Sequence, residues 1–201
     1  MANELYVSID HVAAALGQSD TSRGGLVAGA IEAACRRIDG HCNRTFSKTT
    51  SDTSRVFHPL SPYRVAINDC YSITSVKTDT ADDASFATTW ATTDYITEPL
   101  NRVRHGHAWP ITHLVAVESS IWPLSRRPTV QVTGKWGWTQ VPEPVVHAAL
   151  QLSIMFYRSP DAPFGTAGIA DLGLTRVRMP KVVEEILSDF VVAGTGAPMV
   201  A

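Results

Sequence analysis

Residues 141–160, VPEPVVHAALQLSIMFYRSP, carry apolar side chains on nearly every side of a helical period. Val145, Val146, Ala149, Leu150, Leu152, Ile154, Met155 and Phe156 leave little polar surface between them. A helix of that kind is stable only when it is buried on most faces. Pro142 and Pro144 suit its start, and Pro160 limits it to about Arg158. This helix is expected at the centre of the fold, and the rest of the chain has to supply its cover.

Three other segments can do so. SIDHVAAALG reads as a short helix, with Ser8 as its cap, Val12 and Leu16 four apart, and Gly17 at its end. A longer helix is predicted over Thr21 to Asn43, capped by Ser19 or Asp20, with Val27, Ile31, Ala34, Cys35, Ile38 and Cys42 at 3.6-residue spacing. Its small residues Ala28, Gly29, Ala30, Ala33 and Ala34 allow another helix to approach closely. PKVVEEILSDFVV is the third, with Pro180 in the first turn and a stripe of Val183, Ile186, Leu187 and Phe190.

Between these helices the texture changes. From about 49 to 135, Thr, Val, Tyr and Trp become common and prolines punctuate the chain. SITSVKTD, TTDYITEP, THLVAVESS and PTVQVTGKWGW read as strands, and TADDAS, RHGHAWP and PLSRRP as turns. Five to seven short antiparallel strands are predicted. The chain then divides into N-terminal bundle helices at 1–48, an inserted antiparallel β region at 49–135, the central helix with a long Gly/Pro loop at 136–179, and a C-terminal helix and tail at 180–201. The fold class is α+β: a small bundle of about four helices whose flanking segments meet around the insertion.

Composition narrows the function. A net charge of −2, from 17 basic and 19 acidic side chains, lacks the basic excess of a protein that grips phosphate backbones. Cys35 and Cys42 stand about 10 Å apart along one helix, too far to bridge, and the three cysteines are expected reduced. MANELYVSID carries no apolar leader and no run reaches membrane-spanning length, so the chain is expected to be cytosolic when made.

Reactive constellations are scarce. His105 and His107 form an HxH pair with His113 nearby, but no cysteine or carboxylate close in sequence completes a metal set. No nucleophile elbow, phosphate-binding glycine loop or zinc-protease motif occurs. No catalytic residue, metal or cofactor is expected. Trp136 and Trp138, two apart on a strand, would share a face and serve either the core or a contact between subunits. Arg36 and Arg37 are the other candidates for a subunit-bridging role, ahead of DNA contact.

Four stretches in this order also resemble a known family: AIEAACRRIDGHCNRTF, TTDYITEPLN, VQVTGKWGWTQVPEPVVHAALQLSIMFYRSPDAPFG and GLTRVRMPKVVEEIL. They are similar to the head-to-tail connector (adaptor, or head-completion) proteins of long-tailed double-stranded DNA phages, especially those of actinobacterial hosts. The resemblance implies a non-enzymatic virion protein of the neck, assembled in the host cytoplasm. It implies a homo-oligomeric, dodecameric ring beneath the portal protein, with a stopper or other tail-side neck protein below and the major capsid protein as a further candidate partner. Double-stranded DNA would pass through the channel without specific binding, and no membrane is involved. Portal docking would fall to the C-terminal helix and tail: Pro180, Val183, Ile186, Leu187, Phe190 and Pro198. A stopper or tail terminator is the neighbouring alternative, and a small metal-dependent enzyme or a DNA-binding regulator the more distant ones.

Overall fold

The computed structural model describes residues 5–17, 24–104, 106–117, 119–158 and 179–192. It divides into a helical unit, built from the described residues up to 44 and from 141 onward, and a β unit over 45–140. Four α-helices and an antiparallel sheet, all among the described residues, make this an α+β protein.

In the helical unit, α1 (Ile9–Ala15) starts where Ser8 accepts a hydrogen bond from the His11 N–H at 3.2 Å. It stops at Leu16, with Gly17 at φ +67° turning the chain away. Helix α2 (Gly24–Cys42) buries Val27, Ala30, Ile31, Ala34, Cys35, Ile38 and Cys42 along one side, the period the sequence displays. The proposed caps Ser19 and Asp20 lie outside the described residues. On its other side, Gly25, Gly29 and Gly40 have no atom within 4 Å of where a Cβ would stand. The packing inside this unit therefore places no demand for glycine there.

Helix α3 (Glu143–Arg158) packs against α1, α2 and α4 (Lys181–Leu187), which makes it the centre of the unit. It buries one face, Val145, Ala148, Ala149, Leu152 and Ser153. Ser153 sits there because its hydroxyl donates to the Ala149 carbonyl one turn back, at 2.6 Å. Val146, Leu150, Ile154, Met155 and Phe156 are only half-buried. The expectation of burial on nearly all sides is corrected: the neighbours that pack on α3 are short or lie to one side, and they leave an apolar flank partly open.

Helix α4 begins one residue later than the sequence suggests. Pro180 is its cap, and its carbonyl accepts from the N–H groups of Val183 and Glu184 at 2.9 and 3.0 Å. A short 3-10 turn, Ser188–Phe190, follows. The Val192 N–H then donates to the Cys42 carbonyl at 3.0 Å, tying the end of this segment to the end of α2.

The β unit has eight strands rather than five to seven: β1 (Thr53–Phe57), β2 (Arg64–Thr78), β3 (Thr88–Trp90), β4 (Tyr95–Glu98), β5 (Val103–Arg104), β6 (His107–Ala108), β7 (Ile111–Ala116) and β8 (Val130–Trp136). Six form one antiparallel sheet in the order β1-β8-β2-β7-β4, with β3 paired to β2. The segment RHGHAWP, expected as a turn, carries the β5–β6 hairpin instead, with Gly106 at φ +78° at its bend.

Strand β2 shapes the unit. Fifteen residues drawn straight would span roughly 50 Å, yet both of its ends meet at one residue, Trp122. Trp90, paired with Val76 near the far end of β2, stacks on Trp122 with ring centroids 3.8 Å apart. The Trp122 N–H donates to the Pro62 carbonyl, just before β2 begins, at 2.7 Å. The strand must curl. Its register shifts between Ala66 and Cys70, Cys70 and Ser72, and Ile73 and Ser75, and bulges of that kind bend and twist a strand. Gly134 lies opposite the last of these, where an added Cβ would stand 2.3 Å from the Ser72 carbonyl oxygen. The curled sheet encloses Phe57, Val65, Ile67, Cys70, Val76, Leu114, Trp122, Val130, Val132 and Trp136.

Two of the three edge strands, β1 and β4, carry charge, and the third, β3, is a three-residue TTW strand. On β1, the Arg55 guanidinium lies 4.4 Å over the Trp136 ring. On β4, Glu98 pairs with Arg64 at 2.8 Å. Charged, engaged edge residues discourage pairing with a strand of another molecule.

Candidate assembly surfaces

The residues singled out for chemistry do not converge. Among the described residues no three of His, Cys, Asp and Glu come together as a metal site. His107 lies on β6 and His113 on β7, while His105 is outside the described residues. His113 is bonded to the Thr112 hydroxyl at 3.0 Å. Burial, and then the neighbouring Arg64, hold it neutral below its usual range, with Glu98 opposing them. All three cysteines are free and buried. Burial pushes Cys35 up and Cys42 and Cys70 up to about 11, so none is a thiolate nucleophile at neutral pH. No helix among the described residues is long and apolar enough to cross a membrane.

Of the two roles expected for the tryptophans, the structure places both in the core, though not on one face. Gly137 follows β8 at φ +98°, and this turn separates rings that a straight strand would place on one face. Trp136 joins the sheet core against Phe57, and its Nε1–H donates to the Thr53 carbonyl at 2.9 Å. Trp138 packs with Phe46 and Trp109, at centroid distances of 5.3 and 5.1 Å. Its Nε1–H donates to Asp69 Oδ2 at 3.0 Å, while the Gly137 N–H donates to the Asp69 carbonyl at 2.7 Å. Both rings are buried inside the β unit.

The stripe on the C-terminal helix packs largely within its own unit. Val183, Leu187 and Phe190 are buried within the helical unit, and Pro180 and Ile186 are half-covered. Packing on α3 accounts for the period seen in the sequence. Pro198 lies outside the described residues.

Arg36 and Arg37 part company. Arg36 pairs with Asp39 at 3.1 Å, and Asp39 also accepts from the Tyr6 hydroxyl, which ties the N-terminal segment to α2. Arg37 is exposed and has no ion pair among the described residues. Burial pushes the Asp39 carboxyl up from 3.8, with Tyr6 and then Arg36 pulling it back. For a carboxyl raised on folding, the stability it contributes is present below 3.8 and lost as pH rises through the raised value. Asp39→Asn is accordingly expected to flatten the fall in helical melting temperature as pH rises above 4. Thermal melts followed by circular dichroism check this, and an unchanged slope would exclude Asp39 as its source.

Three surfaces stand out, the first around Arg36 and Arg37, which the sequence singles out, and the other two missed there. The outer face of α2 presents Gly29, Ala33, Arg36, Arg37 and Gly40 to solvent. The outer face of α4 presents Lys181, Glu184, Glu185 and Ser188, with Asp189 just beyond. At the loop tips of the β unit, Leu60, Tyr63, Ile121 and Leu124 are 86, 63, 58 and 57% exposed, and the Trp122–Pro62 hydrogen bond holds their loops together. A signal for the last was present in PLSPY and IWPL, where apolar residues stand beside prolines in otherwise polar connections.

No known sequence family matches the chain, and no curated protein does. Its fold does recur in solved structures. One match is a chain in the neck of an empty gene transfer agent particle computed with C6 symmetry, with 12% identity and a TM-score of 0.55 over 95% of this chain and 92% of that one. Another is a chain in the virion of the native gene transfer agent particle, with 12% identity and a TM-score of 0.56 over 98% of this chain and 99% of that one. At this identity the likeness is one of fold.

Proposed function

We propose that this chain is a structural, non-enzymatic subunit of the neck of a tailed, phage-like particle, and within the neck the head-to-tail adaptor. The observation that carries the reading is the fold shared over nearly the full length of both chains with a neck component and a virion component. The order of helix, β insertion and helix in the four family-like stretches agrees with it. So does a near-neutral charge, which suits a wall past which DNA slides.

On this reading copies of the chain form a ring, dodecameric in the adaptor family, that extends the DNA channel below the portal protein. With Val183, Leu187 and Phe190 turned inward, portal docking falls to the residues after 192, Pro198 among them. The apolar loop tips at Leu60, Tyr63, Ile121 and Leu124 are exposed as a contact for another neck or capsid protein would be. A stopper role is the second reading, favoured by the size of the six-stranded sheet.

Deletion of the gene from a producing cell tests the proposal. DNA-filled heads and finished tails that fail to join are the expected products, and a reconstruction of the intact neck should contain the chain as a ring directly under the portal. Normal particles without the chain would end the reading, and a ring one level lower would make it a stopper.

A further inference from the structure

We infer that neighbouring copies of this chain join head to tail, the outer face of α2 on one copy lying against the outer face of α4 on the next. The inference rests on the ring reading above and deepens it by naming the two faces. Helix α3 packs against both α2 and α4, and each of these keeps an outer face exposed to solvent. A ring needs two different, complementary faces on one subunit, because a contact between unlike patches propagates around an axis.

The charges match. Arg37 is exposed and unpaired among the described residues, with Arg36 one position away. On α4, Glu184, Glu185 and Asp189 are exposed and none has an ion pair among the described residues. Counting the exposed Glu32 on α2 and Lys181 on α4 as well, the α4 face is net acidic, and Arg37 is the α2 cation that its own unit leaves unmatched among the described residues. Val182 on α4 and Leu26 on α2, 58 and 66% exposed, add apolar surface beside these charges. Ala33, between the glycines and the arginines of α2, leaves room for the partner helix. Complementary charge of this kind fixes register and rejects wrong pairings more than it adds affinity.

Ala33→Cys and Glu184→Cys, combined in the full chain, carried into particles and treated with a bifunctional maleimide, test the pairing. The native cysteines are buried, so the unmodified chain should stay uncross-linked. The double variant is expected to give a ladder of multimers and each single variant none. Dimers from Ala33→Cys alone would mean a two-fold contact and overturn the proposal. So would the lack of a ladder in particles that contain the chain, and the ring reading would then survive it. Absence of the chain from particles would sink the neck reading and this inference together. As a second measurement, Arg37→Glu should cut the chain incorporated into particles by roughly tenfold, and Glu184→Lys with Glu185→Lys should restore it. Loss without restoration counts against the pairing.

Discussion

Gly137→Ala should unfold the β unit at much lower denaturant than the parent chain, at a cost of roughly 3–5 kcal/mol. Two separate penalties combine at this position. The backbone holds φ +98°, where an L side chain is strained. An added Cβ would also stand 1.9 Å from the Ser47 carbonyl oxygen and 3.0 Å from the Lys48 Cα. These are backbone atoms, fixed in place because the Thr49 N–H donates to the Trp136 carbonyl at 2.8 Å, and they cannot swing aside as a flexible side chain could. Gly106 separates the two effects. It has φ +78° but nothing within 4 Å of a Cβ, so Gly106→Ala should cost only about 1–2 kcal/mol. All five tryptophans, at 90, 109, 122, 136 and 138, lie in the β unit, so their fluorescence in a guanidinium titration follows this unit. Equal midpoints for the two variants would show that the close approach at Gly137 is not the governing contact.

Trp122→Ala is expected to be as damaging, at about 3–5 kcal/mol. The side chain is 1% exposed and stacks on Trp90 at an interplanar angle of 8°. Removing it leaves a cavity where the two ends of β2 come together, and the backbone tie to Pro62 alone cannot fill that space. Trp122→Phe should cost far less. It keeps a ring in place, and it removes a buried Nε1–H that has no hydrogen-bond partner. An orphaned buried donor of this sort is worth about 1–3 kcal/mol against the fold. Urea titrations of the two variants measure the difference. A loss below about 1 kcal/mol for the alanine variant would mean that β2 is held in its curl by its bulges alone.

How much of this was legible in the sequence depended on whether local periodicity survived in the structure. Ser8, the stripe on α2 and the alternation of β8 were readable because nothing interrupts them. Strand β2 was seen only from Ser72 onward, because three register shifts break its alternation across Ala66 to Ser75. Two-residue strands have no period to find, so the β5–β6 hairpin looked like a turn. The stripe of Val183, Leu187 and Phe190 was identified correctly as apolar, but a stripe does not say whether its cover is the same chain or another one. Trp136 and Trp138 were legible as core candidates, but their expected common face was not met, for a further reason. A single residue at positive φ between them cancels the rule that places alternate side chains together.

The outward face of α4 was invisible for the opposite reason, and that of α2 was legible only at Arg36 and Arg37. Exposed charges and small residues look like ordinary solvated surface until the packing shows that nothing nearby uses them.

The backbone bond between Thr49 and Trp136 has an entropic corollary. The helical unit is written in two pieces separated by roughly 100 residues, and joining them across a slack loop of that length would cost about 2–3 kcal/mol more than across a short turn. A β unit that clasps its own first and last strands shortens that loop and removes most of the loss.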